Sequence, residues 1–176
     1  MYWISNKFIS IPLYVFLGWF VYKKYPERFF PILLLIAVAI LLGDQIASHV
    51  IKNIVMRYRP CHDPVIASDV HLVNGYCGGT YGFVSSHTTN AFALTTFLTC
   101  LFRKKYMKLQ WMLLGWAILV SYSRIYLGAH YPGDVICGAL IGSLIGIAVL
   151  YTYRYFERHF NLPKIKPEHH SHKKSK

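Results

Sequence analysis

The chain has 176 residues, of which 55% are hydrophobic and 15% charged, and it carries a formal net charge of +12. This length suits one domain and hardly two. The charges cluster between long apolar stretches, which argues against a fold built around a water-facing surface and fits a chain dissolved in lipid.

Charged residues are nearly absent from 8–22, 29–51, 88–102, 109–122 and 135–153. Several of these stretches hold only about 15 fully apolar residues, fewer than the roughly 20 of a simple span. Five in succession with basic punctuation predict an all-α polytopic membrane bundle of about five transmembrane helices. If the loops alternate sides, one side carries fourteen basic residues: Lys23, Lys24, Arg28, Arg103, Lys104, Lys105, Lys108, Arg154, Arg158, Lys164, Lys166, Lys173, Lys174 and Lys176. The other carries five, Lys7, Lys52, Arg57, Arg59 and Arg124. The asymmetry predicts an outside N-terminus and an inside C-terminus. It assigns the excess charge to topology and anionic lipid, with no nucleic-acid partner. Four of the five outside residues sit at 52–59 and 124, where anion binding is a reason to keep them.

Nothing at the N-terminus reads as a cleavable signal peptide, because a basic leader and a small-residue cleavage site are both missing. Asp44 is the one acid within a predicted span, and it shares a helical face with Ser48 and Lys52 at successive i, i+4 steps. A carboxylate at that depth is expected to face the bundle interior with a partner, in an inter-helix hydrogen bond. Lys52 and Arg59 are seven apart, so on a helix stopped by Pro60 they fall near one face, two turns from each other. Two such cations suit phosphate oxygens.

Residues 60–86 include Gly78, Gly79 and Gly82 and read as an extracytoplasmic loop, long enough to imply a task such as covering a site. Cys61 and Cys77 bracket most of it on the oxidising side, so a disulfide is expected in preference to two free thiols. On the chain-entropy account, closing that loop contributes roughly 3 kcal/mol. Cys100 and Cys137 fall inside predicted helices, as small buried apolar side chains. Ser85 or Ser86 can N-cap the helix after the loop, whose free N–H groups form an anion site. His87 in the first turn is placed to protonate a leaving oxygen.

After Arg124 come His130 and Asp134, four apart and within hydrogen-bond reach. The acid would fix the imidazole tautomer and leave the other ring nitrogen free to attack. Pro132 and Asp134 suit the first turn of the last helix. There Gly138, Gly142 and Gly146 recur every four residues and open one face to a neighbouring helix. The domain is expected to span 1–162, followed by a disordered basic cytoplasmic tail at 163–176. His169, His170 and His172 in that tail are a minor metal-binding candidate.

Together these clusters resemble the type 2 phosphatidic acid phosphatase family. Lys52 to Pro60 match its first motif: Lys, six residues, Arg-Pro. Ser123, Arg124, His130 and Asp134 match every fixed position of the third. The second, Pro-Ser-Gly-His, is matched at Ser85 and His87, with Val84 in place of Pro and Ser86 in place of Gly. The resemblance implies metal-independent hydrolysis without a cofactor. Lys52, Arg59 and Arg124 would hold the phosphoryl oxygens, aided by Ser85 and backbone N–H groups near Ser86. His130 would attack phosphorus, oriented by Asp134, and His87 would serve as acid and then base. Members commonly have six helices, one more than expected here. The implied protein is a lipid phosphatase on the outer face of a bacterial inner membrane. Its partners are membrane lipids and a lipid phosphate or pyrophosphate. Undecaprenyl pyrophosphate is the leading substrate; a lipid A phosphate, phosphatidylglycerol phosphate and phosphatidic acid are alternatives. Two rival classes are a transporter lined by Asp44, Lys52 and Arg59, and a zinc hydrolase using His87, His130 and Asp134.

Overall fold

The computed structural model describes residues 10–75 and 77–159. Lys7 and the whole tail, with its three histidines, lie outside the described residues. The helices are α1 (Ile11–Lys24), α2 (Phe29–Gln45), α3 (Lys52–Val55), α4 (Ser86–Phe102), α5 (Met107–Tyr126) and α6 (Pro132–His159). A π-helical turn, Ile46–Ile51, joins α2 to α3, so Pro26–Val55 is one continuous rod. Five rods therefore stand where five apolar stretches predict them. Pro26–Val55 and Pro132–His159 are long and apolar enough to cross a bilayer, with mean hydropathy of 2.3 and 2.2. Among the described residues no strand forms, and one isolated antiparallel bridge joins Tyr58 to Tyr81.

The side chains are arranged for a hydrocarbon solvent. On α6, Ile136, Leu140, Leu144 and Tyr151 form an outward stripe, each more than 60% exposed. On the opposite face Gly138, Gly142 and Gly146 lie directly on α4. A Cβ at Gly138 would meet the Ser85 carbonyl oxygen at 3.0 Å, one at Gly142 would collide with the Thr89 carbonyl, and one at Gly146 would come within 2.5 Å of the Ala93 carbonyl oxygen. In lipid, helices associate through close packing of this kind, because leaving the solvent gains them little. Gly43 brings α2 onto α4 in the same way, beside Asn90. The core thus gathers around α4: Ala93, Leu94, Phe97 and Leu98 pack with Leu17, Ile32, Leu113 and Leu150 from the other helices. Cys100 and Cys137 are free and only half-buried, short of the full burial expected of them.

Among the described residues the helix ends alternate between the two ends of the bundle, and most of the basic residues gather at one of them. Lys52, Ser86, Arg124 and Pro132 mark one end of the bundle, and Lys23, Lys24, Arg28, Lys105 and Arg154 the other. At that second end Phe20 packs edge-on against Phe102 and Tyr106, and Arg154 donates to the Cys100 carbonyl at 3.2 Å.

Overpacking a helix contact costs about 1–3 kcal/mol. Gly142→Ala is therefore expected to lower the thermal midpoint of the purified protein clearly. Gly115→Ala, where an added Cβ meets nothing within 4 Å, should leave it unchanged. Equal midpoints for the two variants would contradict the α4–α6 contact.

Candidate active site

The rod carrying Asp44, Ser48 and Lys52 ends sooner than its sequence suggests. Val55 is its last helical residue, and Met56 turns into the left-handed region at φ 47°. Arg59 is consequently not on a helix two turns above Lys52, the arrangement expected if Pro60 were the stop. It lies on an extended segment that pairs with the far end of the loop. The Arg59 amide donates to the Thr80 carbonyl at 3.0 Å, and the Gly82 amide donates to the Arg57 carbonyl at 2.9 Å. This pairing draws residues 57–59 away from the helix axis and across the bundle end. Gly82 has to be small, since a Cβ there would come within 2.9 Å of Cγ of Arg59 and 3.4 Å of the Asp134 carboxylate.

Below it, Lys52 reaches the first residue of α4. Its ammonium donates to Oγ of Ser86 at 2.8 Å, and Oγ of Ser48 lies 2.9 Å from the same atom. Ser48 donates to Asp44 at 3.3 Å, so the first partner of Asp44 is on its own helix and not across an interface as expected. The link to α4 comes one step later, through the serine pair. Ser85 immediately precedes α4 and is fully buried; its amide donates to the Asp134 carbonyl at 3.1 Å, and its hydroxyl accepts from Thr88 at 3.1 Å. His87 lies in the first turn of α4 with its side chain exposed.

His130 sits in the turn between α5 and α6. Gly128, at φ +65°, lets the chain reverse there, and the Arg124 carbonyl accepts the amides of Ala129 and His130 at 3.2 and 3.3 Å. Arg124 itself is buried to 7% exposure in the last turn of α5. Nε2 of His130 lies 3.4 Å from Nη1 of Arg59. A guanidinium has only donors, so this nitrogen is the acceptor and the ring proton belongs on Nδ1. Nδ1 faces the Asp134 carboxylate at 3.6 Å, an ion-pair distance slightly too long for a hydrogen bond. Such contacts commonly tighten when substrate binds. Burial outweighs the pull of Asp134 and lowers the His130 pKa below the usual histidine range, which keeps the ring neutral at pH 7 with a lone pair on Nε2.

Asp134 is fully buried and shared. Oδ2 also accepts the Tyr131 amide at 3.0 Å, and Oδ1 accepts from Arg57 at 3.1 Å. Arg57 lies over the Tyr131 ring at 4.2 Å, and the Tyr131 hydroxyl donates to Asp63 at 2.8 Å. The Val65 amide and this hydroxyl hold Asp63 below the ordinary carboxylate range. The pairing of Arg57 with Asp134 is what sequence reasoning missed. The only signal at Arg57 was its being one of the few basic residues on the sparsely charged side.

The loop is closed by a disulfide between Cys61 and Cys77, whose Cα atoms are 6.0 Å apart. It runs over the histidine turn: Arg59 donates to the Cys77 and Ala129 carbonyls at 3.4 Å each, and Val70 packs on Gly128. The structure thus brings Lys52 to Ser86, Arg59 to His130, Ser85 to Asp134 and Arg124 beneath the histidine turn, all at one end of the bundle. Such an array can hold a tetrahedral anion against an uncharged imidazole.

The chain is similar to known proteins. Residues 31–158 match the PAP2 superfamily. The chain is 38% identical over 144 residues to a lipid A 4'-phosphatase of Bacteroides thetaiotaomicron, covering 81% of this chain and 63% of that protein. It is 37% identical over 155 residues to a lipid A 4'-phosphatase of Porphyromonas gingivalis, covering 88% and 65%. It therefore spans just under two thirds of the length of these relatives. The undecaprenyl-diphosphatase BcrC of Bacillus subtilis is 35% identical over 83 residues, 47% of this chain and 40% of that protein. Among solved structures, LpxE of Aquifex aeolicus superposes with a TM-score of 0.59 at 27% identity, over 85% of this chain and 80% of that one. With a match running from α2 to the end of α6, the chain belongs to the PAP2 superfamily.

Proposed function

We propose that the chain is a membrane lipid phosphatase that forms a phosphohistidine on His130, at the extracytoplasmic face of a bacterial inner membrane. The observation that carries this reading is a buried, neutral imidazole with Nε2 against the Arg59 guanidinium and Nδ1 against Asp134. The incoming phosphoryl group takes the place of Nε2 at Arg59, and Lys52 and Arg124 bind its other oxygens. These fixed cations stabilise the charge that develops in the transition state. Nε2 then forms an N–P bond as the P–O bond to the lipid breaks, and His87 gives its proton to the departing oxygen. Asp134 offsets the positive charge left on the phosphorylated ring. Water next attacks phosphorus, His87 takes its proton, and the N–P bond breaks to release phosphate and restore His130. Arg57 and the Tyr131 amide hold Asp134 in the orientation that serves this ring.

For the substrate, the relatives favour a lipid A phosphomonoester over undecaprenyl pyrophosphate. Two lipid A 4'-phosphatases match over 81% and 88% of the chain, and BcrC over 47%. The diphosphate remains the second reading because that match, though shorter, is of similar identity. The purified full-length protein is expected to release phosphate fastest from lipid A among a panel that includes undecaprenyl pyrophosphate, phosphatidylglycerol phosphate and phosphatidic acid. His130→Ala should reduce release at least about a thousandfold. A panel led by the diphosphate would reverse the substrate order, and no release from any lipid would favour transport. Activity lost in chelator would favour the zinc reading.

The pH profile gives a separate check. The reaction needs neutral His130, so kcat/KM falls as pH drops through its lowered pKa, placing the acid limb below the ordinary histidine range. Arg57 offsets part of the Asp134 charge, which by itself raises the His130 pKa. Arg57→Ala should therefore move the acid limb to higher pH and cut kcat/KM about tenfold, the rate equivalent of one charged hydrogen bond. A limb that stays in place would remove Arg57 from this role.

A further inference from the structure

Ser86 stands where the second motif of the family has glycine, and its side chain is engaged with Lys52 and Ser48. A string of three contacts runs from Lys52 Nζ to Ser86 Oγ at 2.8 Å, to Ser48 Oγ at 2.9 Å, and to Asp44 Oδ1 at 3.3 Å. Its direction is fixed at both ends. An ammonium can only donate and a carboxylate can only accept. Both hydroxyl protons must therefore point toward Asp44: Ser86 accepts from Lys52 and donates to Ser48, which donates to Asp44. The Ser86 hydroxyl proton is thereby committed, which leaves residue 86 its backbone N–H for an anion.

The π turn at Ile46–Ile51 makes the string possible. Four residues of α-helix overshoot a full turn by about 40°, so Asp44, Ser48 and Lys52 would drift around a regular helix. The wider π turn takes up that drift and keeps all three on the α4 side; such turns recur at functional sites. Charge supplies the need. Lys52, Arg59 and Arg124 converge on one end of the bundle, and a cation held partly out of water without compensation is costly.

We propose that Asp44, Ser48 and Ser86 are positioning residues that hold the Lys52 ammonium at the phosphate site, with Asp44 as its counter-charge. The proposal rests on the anion-site reading above, and it concerns how Lys52 is presented and not which lipid is cleaved. A glycine at position 86 would leave Lys52 without this acceptor and Ser48 without its donor.

The test is orthovanadate binding to the purified full-length protein, measured by calorimetry. Ser48→Ala and Asp44→Asn should each weaken binding about five- to twentyfold, and Ser48→Thr, which keeps the hydroxyl, should stay within about twofold of the unaltered chain. In a Lys52→Met background, neither Ser48→Ala nor Asp44→Asn should weaken binding further, because both act through the ammonium. Equal losses with and without Lys52 would overturn the proposal, as would unchanged binding in Ser48→Ala or no vanadate binding by the unaltered chain. Lipid phosphate release is scored separately. A chain in which the Ser48→Ala and Asp44→Asn losses vanish in the Lys52→Met background, but which releases no phosphate, keeps the string and loses the phosphatase reading.

Discussion

Without side chains at Gly138, Gly142 and Gly146, the backbone of α6 rests on α4, and that contact sets the height of Ser85 against Asp134. The two motifs that begin these helices meet because the helices cannot slide. In a bilayer this matters more than in water, since an apolar face gains little by leaving lipid for protein. Small residues supply what burial would supply elsewhere. Many bulky side chains face outward, and the α4–α6 seam is built from glycine against Ser85, Thr89 and Ala93, while leucines and Phe97 fill the core beside it.

On that frame the site is an exercise in placing charge. Asp134 is fully buried, yet it is flanked by His130, Arg57 and the Tyr131 amide, so its burial is compensated on several sides. Arg59 reaches the imidazole from the opposite side, held by its backbone pairing with the loop. The disulfide closes that loop, and its Cys77 carbonyl accepts from Arg59, so loop and cation are one construction. The proposed chemistry needs little beyond this: an uncharged ring, fixed cations, and a carboxylate to steady the ring once it carries phosphate.

Much of this was legible from residue order. The helices announce themselves as apolar runs between basic clusters, and the glycine stripe and the His130–Asp134 spacing are both local patterns. What was not legible depends on contacts between distant residues. The rod stops at Met56 because residues 57–59 pair with 80–82, and no local signal competes with the apparent stop at Pro60. Arg57 stood out only as one of four outside cations kept for anion binding; its pairing with Asp134 needs a partner 77 residues away in place. Ser86 looked like a cap or a lost glycine; its engagement with Lys52 and Ser48 requires α2, the π turn and α4 all to be positioned.

The account stands or falls on His130 carrying the phosphoryl group. The most direct measurement is an alkaline quench of the protein during turnover of a lipid phosphate, followed by peptide mass spectrometry. The expected result is an alkali-stable, acid-labile phosphate on the peptide containing His130, absent from His130→Ala. Turnover with no phosphorylated peptide, or with the phosphate on another residue, would contradict it.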